Sequence, residues 1–259
     1  MHGVDHLMSV VPSLSRAADA AERLGFTVTE RGVHAGRGTS NHLIVLPGCY
    51  WELLTVEEET AHNAHIRETQ TRPGLLGFAL QASTVEAGRR SAGLRGLQVD
   101  APIEVGRPMP GDGRSAQFRI GRTRTGVRFD GFFFYCQHLT PELVWRPEVM
   151  DHPNGATSLI AIDVVTGDVR GAARFLSQVV GAPARFRGAD ATLQVEGVQI
   201  RIATTERYVG QHPGAPCAIT PGRLGAFVGR HSRGGCGRRA AELLAAGGVS
   251  MRETSGGLT

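Results

Sequence analysis

The spacing of hydrophobic and polar residues in the first sixty positions predicts five elements in the order β-α-β-β-β. An apolar run over residues 4–11 is typical of a strand, and Pro12-Ser13 ends it. Apolar residues then recur at helical spacing up to Gly25, which ends the helix. Three extended segments follow, over residues 26–30, 41–46 and 50–56. The first strand carries His6 and the last carries Glu52.

The same pattern recurs after a breaker cluster at residues 71–74. Here we predict a strand over 75–82, a helix over 85–94 and extended segments over 116–120, 126–129 and 132–138. A Pro/Gly-rich loop over 102–113 interrupts this copy and can cover a pocket. Leu14 and Val85 are the first residues of the two predicted helices, and they lie 71 positions apart, since 85 − 14 = 71. This offset places Gly77 at the position of His6. By inspection of the final strands, Glu52 falls near Gln137.

Two further copies follow, and they set the predicted domain organisation. The third has a strand over 158–165, a helix over 169–180 and a hairpin over 192–203, and the fourth has a strand over 224–229 and a helix over 236–246. We therefore predict an α+β protein with a first domain over 1–150 and a second, degenerate pair of modules over 151–259. The module boundaries are 2–60, 73–140, 155–205 and 222–259, the last module being incomplete.

His6 and Glu52 are the leading candidates for chemistry. If the two strands that carry them lie side by side, both side chains point to one concave face. A histidine and a carboxylate that converge there can bind a divalent metal or transfer a proton. Strand alternation turns one of Asn41 and His42 inward, where it can contact a ligand. His34 is more typical of the glycine-rich turn that follows it.

Four further positions complete the candidate site or its surroundings. Residues 132–135 read as a buried strand and pocket wall, which makes Tyr135 a candidate substrate contact together with Gln137. Alternation then places His138 on the opposite face unless a bulge intervenes. His152 can reach the pocket from the segment between the two domains, although a turn built by Pro153-Asn154-Gly155 is the simpler interpretation. His62 and His65 lie in a polar run and are predicted to be on the surface.

Composition excludes several classes of function. All 28 basic residues are arginine, so a Schiff-base lysine and a P-loop are excluded. A net charge of +4 with 6% aromatic residues argues against a nucleic-acid surface. The four cysteines are widely spaced and read as free thiols in a reducing cytoplasm. Neither a secretory signal nor an apolar run long enough to cross a bilayer is evident.

Five short motifs in the first module resemble the glyoxalase-like members of the vicinal oxygen chelate superfamily, which includes glyoxalases, bleomycin-resistance proteins and extradiol dioxygenases. They occur in the family's order and spacing, and further similarity extends to about residue 160. The motifs are DH at 5–6, VP-x-L at 11–14, LGF at 24–26, H-x-GxGT-x-N at 34–41 and Y-x-EL at 50–53. The resemblance implies paired βαβββ modules whose sheets curl into U-shaped half-barrels around a pocket.

The resemblance also implies a function. In the family, the first and last strands of two partnered modules each offer one ligand to a divalent metal (Mn, Zn, Fe, Ni or Co), and no organic cofactor is implied. His6 and Glu52 match these positions in the first module. Gly77 cannot supply a side-chain ligand, and Gln137 is a poor one. A metal would hold two vicinal oxygens of a small substrate, in an isomerase, lyase, epimerase or dioxygenase.

Two alternatives remain open at this point. The protein can be a metal-free module that binds small molecules, as drug-sequestering relatives do, with Gly77 in favour of this interpretation. The second half can have a structural or partner-binding role. The incomplete fourth module leaves a sheet edge, which predicts a homodimer. The expected partner in every case is a small molecule, with no nucleic acid or membrane involved.

Overall fold

The first module has the predicted order of elements. The computed structural model describes residues 3–64, 66, 74–111, 113–124, 131–211, 223–230 and 249–251. The elements of the first module are β1 (Val4–Val10), α1 (Leu14–Arg23), β2 (Gly32–His34), β3 (Thr39–Leu46) and β4 (Cys49–Val56). Helix α1 begins where predicted because the Ser13 hydroxyl accepts a hydrogen bond from the backbone N–H of Arg16.

One predicted strand of this module is wrong. Residues 26–30 are not part of a strand, and β2 lies a few residues later. The N–H of Thr29 donates to the carbonyl of Leu43, but the N–H of Leu43 donates to the Thr29 hydroxyl instead of a backbone carbonyl. The side chain of Thr29 therefore replaces the second backbone bond of a ladder pair, and the segment runs beside β3 without joining the sheet.

The second module also follows the predicted pattern, with one strand that the sequence did not reveal. Its elements are β5 (Gly74–Gln81), α2 (Val85–Gly93), β6 (Ile103–Pro108), β7 (Ser115–Arg122) and β8 (Phe132–His138). Strand β6 lies inside the segment 102–113 that was predicted to be a loop. It pairs with β7 from Ile103 to Pro108, where Pro108 ends the strand. The predicted extended segment 126–129 lies outside the described residues.

The remaining elements form a third module and two further strands. A 3-10 turn (Pro141–Leu143) and α3 (Pro147–Met150) precede them. The elements are β9 (Ala156–Val165), α4 (Val169–Val180), β10 (Arg185–Arg187), β11 (Asp190–Val195), β12 (Val198–Ala203), α5 (Thr205–Gln211), β13 (Arg223–Arg230) and β14 (Val249–Met251). The predicted helix 236–246 lies outside the described residues.

The strand pairing builds a sheet that curves around a pocket. Its main path runs β10-β11-β12-β9-β13-β5-β1-β4-β3-β2, and β8 joins β5 to the β6-β7 hairpin. In each of the first three modules the first strand lies parallel to the last, as β1 does to β4. The first two modules join through antiparallel pairing of β1 with β5. The α+β class and the paired βαβββ architecture are confirmed.

Helices α1, α2 and α4 pack on the convex side of the sheet, in a core separate from the residues that line the concave pocket. Helix α4 packs on the outer face of β8, where the rings of Phe133 and Phe175 lie 5.6 Å apart. The hydroxyl of Tyr135 donates to the carbonyl of Val179 at 3.2 Å and accepts from Arg95 at 2.8 Å. These contacts also join the first two modules to the third.

Gly77 is the tightest point of the β5/β8 contact, and it provides the first testable prediction. A Cβ at Gly77 would lie 1.8 Å from the backbone oxygen of Phe132, which cannot move without breaking the sheet. We expect Gly77→Ala to lower the free energy of unfolding by about 3 kcal/mol. The matched control is Gly93→Ala, because a Cβ at this helical glycine meets nothing within 4 Å. It should raise stability by about 0.5–1 kcal/mol.

Urea denaturation of both variants at one pH measures these changes. Equal, small effects of the two substitutions would show that the sheet does not close against Gly77 as described.

Candidate functional site

The first two modules enclose one pocket on the concave face of the sheet, with a volume of about 140 Å³. A cavity of about 150 Å³ accepts a benzene-sized molecule, so the space suits one ring or a short chain. Residues from both modules line it. The polar lining residues come largely from the first half of this pair: His6, His34, Arg37, Asn41, Tyr50, Glu52 and His62. The second module contributes largely apolar residues: Val105, Phe118, Ile120, Phe132, Phe134 and Cys136. Its one charged contribution among the described residues is Arg107, which is buried.

His6 and Glu52 both line this pocket, as the sequence predicts. Strands β1 and β4 are adjacent and parallel, with His6 opposite Tyr50 and Met8 opposite Glu52. The His6 ring stacks on Tyr50 at 4.3 Å between centroids and meets the edge of Phe134 at 5.3 Å. Their side chains nevertheless bond to different partners.

His6 belongs to a buried network centred on Asp5. The pairing of β1 with β5 shifts register between Val4 and His6, so Asp5 is an extra residue in a β-bulge. The bulge brings two consecutive side chains together, and His6 Nδ1 lies 2.6 Å from Asp5 Oδ1. Nε2 of His138 lies 3.1 Å from both oxygens of the same carboxylate. A carboxylate between two imidazoles accepts a hydrogen bond from an N–H of each ring.

The ionisation of this network follows from its contacts. Burial disfavours the charged form of Asp5, but hydrogen bonds from His138 and His6 outweigh it and lower the pKa of Asp5 from 3.8 to about 2. Burial and the nearby Asp5 charge raise the pKa of the Cys136 thiol well above its ordinary value. At neutral pH Asp5 is therefore a carboxylate and Cys136 is a thiol. With Nδ1–H of His6 directed at Asp5, the lone pair of this ring is on Nε2.

Glu52 belongs to a second network at the same pocket. Its Oε1 accepts a hydrogen bond from Asn41 Nδ2 at 2.7 Å. Asn41 Oδ1 in turn accepts from Nε of Arg107 at 2.9 Å, and Arg107 Nη2 donates to the carbonyl of Glu30 at 3.0 Å. The buried guanidinium of Arg107 therefore orients the Asn41 amide, and the amide in turn orients the Glu52 carboxylate. Asn41 is the inward-facing member of the pair Asn41 and His42.

His34 stands between these groups. Its Nε2 lies 3.7 Å from Glu52 Oε1 and 3.2 Å from Asn41 Nδ2, while Nδ1 lies 2.8 Å from the Thr39 hydroxyl. Burial lowers the pKa of His34, Glu52 opposes that change, and Arg107 and Arg37 add to it. His34 is therefore neutral at physiological pH, and it lies in the pocket and not only in the turn.

In strand β8 the residues that face the pocket are not the ones that the sequence predicts. Phe134, Cys136 and His138 face the pocket side, whereas Tyr135 and Gln137 face the helices. The Oε1 atom of Gln137 accepts from the N–H of Val85 at the start of α2, and Tyr135 bonds to Arg95 and Val179. The structure thus places these two candidate substrate contacts away from the pocket. His138, expected on the opposite face, bonds to Asp5.

Two other candidate substrate contacts bond to the backbone. His152 Nδ1 accepts from the N–H of Thr27 at 3.0 Å, and its Nε2 lies 2.9 Å from the carbonyl of Val45. His42 Nδ1 lies 2.7 Å from the carbonyl of Thr29. His152 joins the segment between α3 and β9 to the first module. Both imidazoles hold loops in place at a distance from the lining of the pocket in the described chain.

Several site residues were missed by sequence reasoning. Arg107 was inside the predicted loop, and His62, expected on the surface, contributes to the lining. Asp5 was hidden by the expectation that neighbouring strand residues face opposite ways. Two features of the sequence could have pointed to them. Asp5 is a carboxylate within an apolar strand, next to His6, and Arg107 is the one arginine in the Pro/Gly-rich segment 102–113. His65 lies outside the described residues.

A model of the glyoxalase-like domain matches residues 4–180, which is more than half of the chain. The chain belongs to the glyoxalase-like domain family. A search among curated proteins finds no match.

Solved structures agree with this assignment at the level of the fold. A hypothetical protein from Staphylococcus aureus superposes on this glyoxalase-like protein with a TM-score of 0.73, covering 98% of this chain and 100% of its own, at 13% identity. A triple mutant of 4-hydroxymandelate synthase from Streptomyces coelicolor gives 0.53 over 88% and 71%, at 12% identity. Identities this low show the vicinal oxygen chelate fold and carry no function across.

The register within this fold decides which positions of the second module correspond to His6 and Glu52. With an offset of 71, the counterparts of His6 and Met8 are Gly77 and Ala79. The equivalent strands β1 and β5 pair antiparallel, so each residue should lie opposite the counterpart of the other. The observed pairs, His6 with Ala79 and Met8 with Gly77, agree with this. Since Met8 lies opposite Glu52 and Ala79 opposite Phe134, the counterpart of Glu52 is Phe134. The match of Glu52 with Gln137 is therefore wrong.

The residues present do not fit a metal held in the manner of the family. The second module offers Gly77 and Phe134 at the two ligand positions, and neither has a donor atom. Potential ligand atoms of Asp5, His6 and Cys136 do lie within 4.8 Å of one another. However, the Asp5 carboxylate already accepts hydrogen bonds from His6, His138 and Cys136. The Asp5 carboxylate is thus already hydrogen-bonded within this cluster, although Nδ1 of His138 is buried without a hydrogen-bond partner in the described part of the chain, and Glu52 lies outside the cluster.

The third module does not repeat the candidate chemistry. Its helix start, Val169, gives an offset of 155 from Leu14, since 169 − 14 = 155. This offset places Ala161 at the position of His6. The pairing of Asp163 with Arg201 then places Arg201 at the position of Glu52. An ion pair between Asp163 and Arg201 fills this face, so the pocket of the first two modules carries the candidate site.

Two further expectations concern the described residues alone. Cys49 and Cys136 are free and buried, whereas Cys217 and Cys236 lie outside that part of the chain. Among the described helices, none is both long and apolar enough to cross a membrane.

The low pKa of Asp5 leads to the second prediction. A carboxyl whose pKa is lower in the folded than in the unfolded state stabilises the fold above the unfolded pKa, and this stabilisation is lost as pH falls through the folded value. Between pH 4 and pH 2 the protein should lose about 2 kcal/mol through Asp5. Asp5→Asn should lack this part of the pH dependence, whereas Asp19→Asn, at an exposed position of α1, should keep it.

Urea denaturation at several pH values over this range gives the slopes. If Asp5→Asn and the wild type lose stability in parallel, Asp5 does not ionise as described.

Proposed function

We propose that this protein is a glyoxalase-like enzyme that transfers protons on a small oxygenated substrate, with His6 and Glu52 as its acid–base couple. The observation that carries the proposal is the placement of both groups on one pocket, in two separate hydrogen-bonded networks. Groups that are oriented independently can hold different protonation states at one pH, as acid–base catalysis requires.

In this mechanism Asp5 acts on His6 as an orienting group. Its carboxylate accepts Nδ1–H of His6, which leaves Nε2 to take a proton from a carbon next to a carbonyl. The same carboxylate stabilises the imidazolium that forms, as a buried aspartate does beside a catalytic histidine. Asp5 is thus a positioning residue, because it touches His6 and not the substrate.

In this mechanism Glu52 acts as a carboxylic acid: it donates its proton to the substrate oxygen while His6 removes the proton from carbon, and it takes that proton back when His6 returns a proton to carbon. Asn41 donates to one oxygen of this carboxylate and is itself held by Arg107. This arrangement supports the isomerase, epimerase and lyase types, each of which begins with loss of a proton beside a carbonyl. The dioxygenase type needs a metal, for which the donor set described above is a poor fit.

The third prediction concerns turnover. Small carbonyl compounds are incubated with the protein in D₂O, and exchange of the C–H beside the carbonyl is followed by NMR. We expect His6→Gln and Glu52→Gln each to slow the exchange by about 10²–10⁴-fold. Glu104→Gln, an exposed carboxylate on the neighbouring strand β6, is the matched control and should leave the rate unchanged. Exchange in His6→Gln or Glu52→Gln that is as fast as in the wild type would contradict the proposal.

The fourth prediction concerns metal content. The purified protein should contain Mn, Zn, Fe, Ni or Co at well below one ion per chain. Dialysis against a chelator should leave proton exchange unchanged, because neither proton-transfer group depends on an ion in this mechanism. A stoichiometric ion that disappears in both His6→Ala and Glu52→Ala would instead support the family's metal chemistry.

A second candidate function is a module that binds small molecules without turnover. The apolar wall of Phe118, Phe132 and Phe134 favours it, since such a surface binds a ring without any chemistry. Tight binding of a compound that shows no exchange of protons, unaltered by His6→Gln, would favour this function over the enzyme.

A further inference from the structure

The charged groups of the pocket are unbalanced. Among the described residues, the guanidinium groups of Arg37 and Arg107 contribute to its lining, against the single carboxylate of Glu52. Asp5 lies behind His6 and is absent from that lining. A pocket with an excess of cations and walls of low polarity favours anionic ligands, because the electrostatic attraction is weakly screened there.

Arg107 is a fixed cation with spare hydrogen-bonding capacity. Its side chain is buried, and its Nε and Nη2 donate to Asn41 and Glu30. The Nη1 atom contacts the sulfur of Met109 at 3.8 Å, which is a weak acceptor. Since a guanidinium has five N–H donors, those on Nη1 are open to a better acceptor. A ligand oxygen would supply it.

Arg37 lines the same pocket, and contacts of its backbone fix its position. It lies between Gly36 and Gly38, which have φ values of +69° and +65°, a conformation that favours glycine. The carbonyl of Arg37 accepts hydrogen bonds from Asn63 Nδ2 at 2.8 Å and from the Thr60 hydroxyl at 3.2 Å. Among the described residues, no carboxylate pairs with its half-buried guanidinium.

Arg107 lies beside the proposed acid–base couple, because Asn41 contacts both Arg107 Nε at 2.9 Å and Glu52 Oε1 at 2.7 Å. Arg37 and His6 line the same pocket. An anion that contacts Arg107 would therefore have its neighbouring atoms close to Glu52. Another part of the lining is apolar and aromatic, with the rings of Phe132 and Phe134 5.3 Å apart.

From these contacts we propose that the pocket selects a small organic carboxylate with one ring or a similar apolar body. The carboxylate binds between Arg37 and Arg107, and the ring lies against Phe118, Phe132 and Phe134. The inference rests on the proposed function for the identity of the site, but it concerns recognition and can hold if no proton is transferred.

Calorimetric titration of the full chain with benzoate, benzamide and acetate tests the proposal. Benzamide has the shape of benzoate without its charge, and acetate has the charge without the ring. We expect benzoate to bind at least about 10-fold more tightly than either, which corresponds to one charged hydrogen bond or one buried ring. Equal affinity for benzoate and benzamide, or no binding of benzoate, would overturn the proposal.

Variants assign the preference to the arginines. Arg37→Gln should weaken benzoate binding about 10- to 100-fold and leave benzamide binding unchanged, because only the charged interaction is lost. Arg16→Gln, an exposed arginine on α1, is the matched control and should bind benzoate as the wild type does. Loss of benzoate binding in both variants, or in neither, would contradict the assignment to Arg37.

The outcome is separable from that of the proposed function. Benzoate has no exchangeable proton beside its carboxylate, so its binding does not depend on turnover. His6→Gln should abolish proton exchange while it keeps the preference for benzoate over benzamide. A variant that loses both together would show that His6, and not Arg37, recognises the anion, which would also overturn the proposal.

Discussion

A single buried carboxylate determines the geometry of the pocket. Asp5 occupies a β-bulge where the first strands of two modules meet, and it accepts hydrogen bonds from His6 on β1 and from His138 on β8. Without those donors, an ionised group at this depth would be strongly unfavourable. The interaction therefore joins the two modules at their seam and fixes the orientation of His6 at the same time.

The pocket is asymmetric because only one of two related modules retained polar groups at the key positions. The first module contributes His6 and Glu52, whereas the second has Gly77 and Phe134 at the corresponding positions. With side-chain donors at two of these four positions, the site is better suited to acid–base chemistry, which needs two groups, than to a metal held in the manner of the family. The second module instead supplies an aromatic wall and one buried cation, Arg107, which positions Asn41 and through it Glu52.

The sequence predicts the fold and the two leading residues for clear physical reasons. Helices that end at glycine and strands of regular length repeat through the chain, so the element order and the offset of 71 could be obtained without coordinates. His6 and Glu52 follow from that order. Their surroundings could not be predicted, because a single bulge at Asp5 overrides the alternation on which facing was assigned. The facing of Tyr135 and Gln137 was also predicted from alternation along a strand, and it was wrong because the starting residue of that alternation was not known.

The most direct test of the account is the tautomer of His6, measured at pH 7 by long-range ¹H–¹⁵N NMR with assignment by His6→Gln. Because the Asp5 carboxylate accepts a hydrogen bond from Nδ1–H, the spectrum should show Nδ1 protonated and Nε2 without a proton, with no change when Zn²⁺ is added. A proton on Nε2 alone, or a zinc-dependent shift of His6 that disappears in Glu52→Gln, would contradict it.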